Sequence, residues 1–233
     1  MRLVVGVMLL GACGDNSDHG VAVFRWDGDR APGAYRLDHL APDDADVRGL
    51  LDDRQSDTAV AMFYGHLRPG KSTAETVEAV LARAVDDGLP FLTFADLAAG
   101  GPARRGVCLS FDDDDFAGWT ALRPVFARYG ARVTFFVTRY QLASPDEKVE
   151  LRTLADDGHD IEAHSLDHVN ALDYVAAHGL PALLADQVLP SLAVLEADGY
   201  APVAYAHPFG ATDDAIDAAI LEHVALVRRI TTP

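Results

Sequence analysis

From residue 58 onwards the sequence alternates between strand-like and helix-like patterns, and this alternation restricts the fold more than any other feature. Helix candidates, such as "STAETVEAVLARAVDDG" with Ser72 as its expected N-cap, separate the strand candidates. The strand candidates are "AVAMFY", "PFLTF", "GVCLSF", "RVTFFV", "HDIEAH", "PVAYA" and "VALVRRI". Repeated strand–helix units predict a parallel sheet covered by helices, and about seven units favour a barrel. The chain stops at Pro233 directly after a strand pattern, so completeness at the C-terminal end stays open.

The N-terminal residues predict a targeting segment and a tether. Residues 1–13, "MRLVVGVMLLGAC", combine a positive Arg2 with a short apolar stretch. "LGAC" resembles a bacterial lipobox, in which Cys13 would be lipidated and would anchor the protein. An ordinary N-terminal strand is the alternative interpretation. Residues 14–57 are rich in Asp, Gly, Pro and Arg and have weak periodicity, so we interpret them as a polar tether ahead of a domain at 58–233.

Charge and hydropathy exclude several classes of protein. The formal net charge is −17, which argues against binding to a phosphate backbone and hence against nucleic acid as a partner. No apolar run approaches the roughly 20 residues of a membrane span, so we expect membrane contact only through a lipid anchor. Uncharged glycans remain compatible partners. Cys108 lies in an apolar strand pattern and is expected to be a small buried residue.

Titratable residues follow four of the strand candidates. They are Asp112 and Asp113 after "GVCLSF", His164 after "DIEA", His66 after "AMFYG", and His207 after "PVAYA". In parallel α/β folds the chemistry collects at the carboxyl ends of the strands. Acidic runs are often only solvated, yet four strand ends that each deliver such a group predict a common site.

The segment "HSLDH" places His164 and His168 four residues apart. On a helical turn, this spacing brings both rings to one face. Two imidazoles and one carboxylate form the ligand set of a catalytic zinc site that keeps a position for water. The histidine pair alone is a weak signal, but together with the aspartate pair it predicts a site for Zn²⁺ or another divalent transition metal.

Three motifs in order resemble those of the polysaccharide deacetylases, carbohydrate esterase family 4, which share the NodB-homology domain. They are "SFDDD", "GHDIEAHSLDH" and "AYAHPFG". The resemblance implies a distorted (β/α)7-type barrel. It also implies that Asp112 is the catalytic base, and that Asp113, His164 and His168 are the metal ligands. His207, Pro208 and Phe209 fall in the substrate-groove motif, and we expect the Phe209 backbone N–H to stabilise the oxyanion.

The sequence departs from the family pattern at two functional positions. Ala206 stands where the third motif often has an arginine that holds the base, and the C-terminal Leu-x-His motif that supplies the general acid is absent. In the branch of the family that resembles the poly-N-acetylglucosamine deacetylases, the order of the motifs is permuted. A strand with a Tyr-His element precedes the first motif there. "FYGH" is similar to that element, which implies that His66 is the acid.

The resemblance therefore implies a metal-dependent hydrolase that removes N-acetyl groups from an amino-sugar polysaccharide, such as an exopolysaccharide, peptidoglycan or a chitin-like polymer. With the lipobox, it implies a bacterial cell-envelope enzyme, lipid-anchored outside the cytoplasm. The departures favour one alternative, a non-catalytic member that binds glycan. An amidase or esterase for small acyl compounds is a third. The sequence specifies no oligomeric state.

Overall fold

Seven parallel strands close into a barrel in the computed structural model, which describes residues 25–26, 29–40, 60–100 and 105–231. A short additional strand at Arg25 and Trp26 pairs antiparallel with Val60 and Ala61. The strands are β1 (Arg25–Trp26), β2 (Gly33–Arg36), β3 (Val60–Gly65), β4 (Gly106–Asp113), β5 (Thr134–Val137), β6 (Asp160–Ala163), β7 (Ala204–Ala206) and β8 (Leu226–Thr231). The barrel order is β3-β2-β8-β7-β6-β5-β4, with β4 returning to β3. The predicted distorted (β/α)7-type barrel is confirmed.

The strand that completes the barrel lies in the segment that we interpreted as a tether. β2 pairs in parallel with both β3 and β8, and Ala34 and Leu37 are fully buried. The domain boundary at residue 58 is therefore wrong for the described residues 33–40, and the barrel is closed on this side. A four-residue strand flanked by Asp, Gly and Pro is too short to show a period in the sequence. The rest of the expected tether, and residues 1–13, lie outside the described residues.

One predicted strand is replaced by a bridge and a helix. In "PFLTF", Phe91 makes only an isolated parallel bridge to Val107. The chain then enters a short helix at Phe94, because Thr93 and Asp96 form a capping box. The Phe94 ring is buried inside the barrel and packs edge-on against Phe136, with ring centroids 4.9 Å apart.

Helices cover the outside of the barrel and follow the predicted alternation. They are α1 (Ala74–Asp86), α2 (Phe94–Ala98), α3 (Phe116–Ala121), α4 (Arg123–Tyr129), α5 (Pro145–Asp156), α6 (Ala171–His178), α7 (Leu180–Leu183), α8 (Leu189–Ala197) and α9 (Asp214–Ile220). Short 3₁₀ turns occupy Tyr140–Leu142 and Pro208–Gly210, and a π-turn, Leu184–Val188, joins α7 to α8. The N-cap of α1 is Thr73 and not Ser72.

Two apolar cores result from this arrangement. One fills the barrel and includes Met62, Cys108 and Phe136. The other lies between the strands and the helices and includes Phe63 and Trp119. β3 contributes to both cores and is buried along its whole length, as expected for a strand covered on both sides. The predicted burial of Cys108 is confirmed.

The helical stretch Leu180–Ala197 is long and apolar enough to cross a membrane by length and composition alone. Here it packs against the barrel and buries Leu183, Val188 and Leu195. It also contains the buried Gln187 and the charged Asp186. Of this stretch 33% is buried, so it lies against the barrel and is not enclosed by it.

Candidate active site

A cavity of about 240 Å³ opens at the carboxyl ends of the strands. The predicted residues that line it are Asp112, Asp113, His66, His164, His168, His207 and Phe209. The four strand ends singled out in the sequence therefore meet in one place. Arg36, Tyr64, Arg68, Lys71, Gly210 and Ile230 complete the lining.

The two aspartates at the end of β4 are buried and reach the same cavity. Asp113 has φ = 88°, a conformation that non-glycine residues rarely adopt and that occurs often at functional sites. The next two acids have other roles. Asp114 pairs with Arg139 on the surface, and the Asp115 carboxylate caps α3 by accepting from the Gly118 N–H at 3.2 Å.

His164 and His168 lie on the loop that follows β6 and not on a helical turn. Their four-residue spacing is not helical because Ser165 and His168 have φ values of 66° and 61°. The Nε2 atoms of His164 and His168 nevertheless lie 3.9 Å and 3.0 Å from the same Oδ1 of Asp113. One potential ligand atom from each of these three residues lies within 4.8 Å of the others.

The chemistry of these three residues fits a divalent metal ion. The Nδ1–H of His164 donates to the Ala206 carbonyl at 2.9 Å, which leaves Nε2 as the lone-pair nitrogen facing Asp113. Burial lowers the pKa of His164 to about 4, so its imidazole is neutral near pH 7. Within the described part of the chain, no well-aligned hydrogen bond reaches the buried carboxylate oxygens of Asp113. Burial alone would raise the pKa of Asp113, but contact with His168 and the nearby imidazoles lowers it.

Gln187 holds the loop that carries both histidines. Its side-chain Oε1 accepts from the Ser165 hydroxyl and the Asp167 N–H, both at 3.1 Å. Its Nε2 donates to the Asp167 carboxylate at 3.0 Å, and its backbone carbonyl accepts from the Leu166 N–H at 3.0 Å. Gln187 is buried in the π-turn, a distortion that is frequent near functional sites. Nothing in the local sequence around Gln187 indicated this role.

Arg228 is a site residue that the sequence analysis missed. Its fully buried guanidinium donates from Nη2 to Asp112 Oδ2 at 2.6 Å and lies 4.4 Å from the centroid of the Tyr64 ring. In the sheet, Arg228 is the direct cross-strand partner of Ala206, the position where the family often has its arginine. A guanidinium therefore reaches Asp112 from the strand that neighbours Ala206. Two arginines inside the apolar pattern "VALVRRI" were the available signal.

His66 forms a pair with Asp38, a second residue that the sequence analysis missed. The distance from His66 Nδ1 to Asp38 Oδ2 is 2.6 Å, and the other oxygen, Oδ1, accepts from the His66 N–H and the Ser72 hydroxyl. Burial would raise the pKa of Asp38, but these hydrogen bonds lower it to about 2. Burial also opposes protonation of His66, yet the Asp38 bond and the charge of Asp112 raise its pKa above the usual value.

The third motif forms one lip of the cavity. Pro208 is buried in the 3₁₀ turn, and Phe209, with φ = 61°, is 63% exposed. The Phe209 ring lies 4.8 Å from the His168 ring, measured between centroids. His207 is buried and directs Nε2 to Asp217 at 2.7 Å, so that nitrogen is already engaged within the fold.

Comparison with known proteins gives a family match and several similar structures. The family model described as polysaccharide deacetylase matches residues 99–224, which is more than half of the chain. The deacetylase PplD of Streptococcus pyogenes, solved with acetate, is 18% identical with a TM-score of 0.52, and the match covers 64% of this chain and 76% of that chain. IcaB from Ammonifex degensii is 16% identical with a TM-score of 0.56, covering 71% and 87%.

BC0361, a polysaccharide deacetylase from Bacillus cereus, is 19% identical with a TM-score of 0.56, and the match covers 69% of this chain and 51% of that chain. At these identities the solved structures indicate a shared fold. A search of curated proteins finds no match.

Proposed function

Because the chain belongs to the polysaccharide deacetylase family, we propose that this enzyme removes N-acetyl groups from an amino-sugar polysaccharide by metal-dependent hydrolysis. One observation carries the proposal. A carboxylate held by Arg228, a three-residue ligand set and an Asp–His pair line a single cavity. The hydrolysis of an acetamide requires a base, an electrophilic catalyst and an acid, and the cavity offers one group for each.

Asp113, His164 and His168 would hold the divalent ion. When bound, such an ion supplies Lewis acidity to an amide carbonyl and to an attacking water. Zinc suits two imidazoles and one carboxylate, and we propose Zn²⁺ or another divalent transition metal. The remaining steps depend on side chains that surround these ligands.

Asp112 is positioned to be the base. Arg228 occupies its Oδ2, whereas its Oδ1 is buried and has no hydrogen-bond partner in the described part of the chain. An unpaired carboxylate oxygen beside the ligand set can accept a proton from water. Arg228 balances the charge of Asp112 and fixes its orientation, as the motif-three arginine does in the family pattern.

His66 is positioned to be the acid. Asp38 accepts from Nδ1, so the opposite nitrogen, Nε2, is directed to the cavity and lies 3.9 Å from Asp113 Oδ2. A protonated imidazole at this position can deliver a proton to the departing amine. Phe209 lies across the cavity, and its backbone N–H is our candidate for the oxyanion donor.

The test is acetate release from an N-acetylglucosamine oligomer, measured before and after treatment with a chelator and again after Zn²⁺ is restored. We expect activity to be lost and then recovered. Asp112→Asn should keep its metal and lose activity by at least about 10²-fold, whereas the matched control Asp114→Asn should remain active. Metal-independent activity, or an active Asp112→Asn variant, would contradict the mechanism.

The alternative of a non-catalytic glycan-binding member rested on the missing arginine and the missing acid. Arg228 and the Asp38–His66 pair provide candidates for both functions. We therefore favour the catalytic proposal. A protein that binds the oligomer and releases no acetate in the presence of Zn²⁺ would restore the alternative.

We also propose that the enzyme is anchored in the bacterial cell envelope through Cys13, which lies outside the described residues. The proposal is supported by "LGAC" and the polar sequence that follows it. Expressed in a bacterium, the chain should partition into detergent, and Cys13→Ser should abolish that behaviour. Equal partitioning of the two forms would exclude the anchor.

A further inference from the structure

Three cationic side chains line one wall of the cavity. Arg36 is the last residue of β2, and Arg68 and Lys71 lie on the loop between β3 and α1. The chain as a whole has a formal net charge of −17. A cluster of positive charge at the cavity of such an acidic protein is a local feature and not a result of composition.

Asp38 is the acid nearest to Arg36 and Lys71, and it is not hydrogen-bonded to either. Arg36 Nε and Lys71 Nζ are each 4.0 Å from Asp38 Oδ2, beyond hydrogen-bond distance, and Arg36 Nε donates instead to the Tyr64 hydroxyl at 2.7 Å. The Asp38 oxygens already accept from His66 and Ser72. The Asp38 side chain is 0% exposed, whereas those of Arg36 and Lys71 are 47% and 30% exposed. A ligand in the cavity can therefore reach these two cations but cannot reach Asp38.

Arg68 connects this wall to the metal ligands. Its Nη1 lies 2.9 Å from Asp113 Oδ2, while the other oxygen, Oδ1, faces the two histidines. An anionic group bound by Arg68 would consequently lie beside the three-residue ligand set. The proposed base and acid, Asp112 and His66, do not require this wall.

We propose that Arg36, Arg68 and Lys71, here called the basic wall, form an anion subsite that selects N-acetylated sugars carrying a carboxylate or a phosphate. This inference rests on the proposed deacetylation and names its substrate class. Guanidinium groups bind both anions in a bidentate manner, and lysine adds a point charge. An anionic glycan is repelled by most of the protein surface, so a local basic wall would decide where it binds.

The test compares three oligomers of equal length. One is neutral N-acetylglucosamine oligomer, one carries carboxylates as lactyl ethers, and one carries 6-phosphates. We expect KM to be lower for at least one anionic oligomer than for the neutral one. The double variant Arg36→Gln/Lys71→Gln should raise that KM by about 5- to 30-fold, as expected for two partly exposed ion pairs, and leave the neutral oligomer within about twofold.

The matched control is Arg123→Gln/Arg128→Gln, which removes the same charge from the outer helix α4, where both arginines pair with surface acids. It should leave every KM unchanged. Equal KM values for neutral and anionic oligomers in the wild-type protein would overturn the inference, as would an equal loss on all substrates in the double variant. If acetate alone binds with the same sensitivity to the double variant, the wall serves the product and the inference also fails.

Calorimetric binding of the same oligomers separates this inference from the proposed function. If no oligomer is deacetylated, but the anionic ones bind more tightly and depend on the basic wall, the proposed function fails and the subsite stands. If all oligomers are deacetylated and bind with equal affinity, the proposed function stands and the subsite fails.

Discussion

Two of the histidines that line the cavity, His66 and His207, are each hydrogen-bonded to an aspartate, and the two distances differ by 0.1 Å. His66 Nδ1 lies 2.6 Å from Asp38, and His207 Nε2 lies 2.7 Å from Asp217. The side chain of His66 is 15% exposed, whereas that of His207 is 0% exposed. The same pair of residue types is therefore open to the cavity in one case and enclosed in the fold in the other.

The aspartates differ in what else they contact. Asp217 accepts hydrogen bonds from the Thr212 hydroxyl and from the Arg229 guanidinium, so its charge is already balanced. Asp38 has no hydrogen-bonded cation other than His66 among its described contacts. The comparison teaches that a His–Asp pair is placed for proton transfer where the second ring nitrogen faces the cavity and the carboxylate has no hydrogen-bonded cation other than the imidazole.

The largest expected difference is in the turnover of His66 and His207 variants. His66→Ala should lower kcat by about 10²–10⁴-fold, because general acid assistance is worth about that factor. His207→Ala should lower kcat far less and should instead destabilise the fold, since it leaves a cavity and a buried Asp217. Acetate release and thermal unfolding of both variants provide the measurement.

Metal content is the control for this pair of variants. Both proteins should retain stoichiometric zinc. If His66→Ala loses its metal, His66 is a ligand and not the acid. Near-full activity of His66→Ala combined with an inactive, folded His207→Ala would reverse the assignment of the two pairs.

A smaller difference in turnover and in its pH dependence is expected between variants of Asp38 and Asp217. Asp38→Asn should lower turnover by about 10- to 100-fold, the usual effect of removing a supporting hydrogen bond. Asp38 raises the pKa of His66, so its removal lowers that pKa. Because an acid must be protonated to act, the alkaline limb of the pH–kcat profile should move to lower pH. Asp217→Asn should leave the profile in place, and a shift of equal size in both variants would break the comparison.

The third prediction concerns two glutamines that hydrogen-bond to the loop that carries His164 and His168. One of these glutamines is buried and the other is exposed. Gln187 is buried, and Gln141 donates to the Leu166 carbonyl and the Asp167 carboxylate from an exposed position. Gln187→Ala should weaken zinc affinity by about tenfold in a competition with a chelator. Activity at saturating zinc should be near that of the wild type.

Gln141→Ala is the matched control and should change zinc affinity by less than about twofold, since exposed contacts contribute little. Equal affinities of the two variants would show that burial of Gln187 is unimportant for the loop.

The smallest expected effect is on stability and concerns Glu162, inside the barrel. Burial and the charge of Asp160 raise the pKa of the Glu162 carboxyl well above its usual value. The folded state therefore binds this proton more tightly than the unfolded state, and stability falls as the pH rises above the unfolded pKa of about 4.3. Glu162 therefore makes a pH-dependent contribution to stability, which is lost progressively between the unfolded pKa and the raised pKa of the folded state.

Glu162→Gln should remove that pH-dependent contribution to stability. The glutamine would keep an acceptor for the hydrogen bonds that the N–H groups of Val203 and Ala204 donate to Glu162 at 2.8 Å and 2.6 Å. Denaturant unfolding at several pH values measures the difference between variant and wild type. A difference that does not change with pH would contradict the raised pKa.

The sequence predicted the cavity well because its residues follow strands. Asp112, Asp113, His66 and His164 each occupy a strand end, and parallel topology alone places strand ends together. It predicted the His164–His168 proximity for the wrong reason. Two left-handed residues, Ser165 and His168, bring the rings together on a loop, and nothing in a spacing of four distinguishes such a loop from a helix.

The sequence could not reveal Arg228 and Asp38, because their roles depend on sheet register. Arg228 contacts Asp112 from the position opposite Ala206, where the family motif often has an arginine, and only the β7–β8 pairing shows that the two positions are neighbours. Asp38 lies in an Asp-rich segment, in which the sequence does not distinguish the carboxylate that pairs with His66. Its importance follows from the pairing of β2 with β3, which the weak local pattern did not indicate.

The seam between β2 and β8 has a consequence for folding kinetics. It brings together residues as distant as Arg30 and Ala225, which are 195 positions apart and joined by a hydrogen bond. Non-local contacts must offset loop-closure entropy before they stabilise the chain, which slows folding. Asp38 follows β2 and Arg228 lies in β8, so the partner of the proposed acid and the partner of the proposed base both depend on this seam. Asp113, His164 and His168 follow from β4 and β6 instead, so a molecule with an open seam would lose those two partners while it kept the three residues of the ligand set.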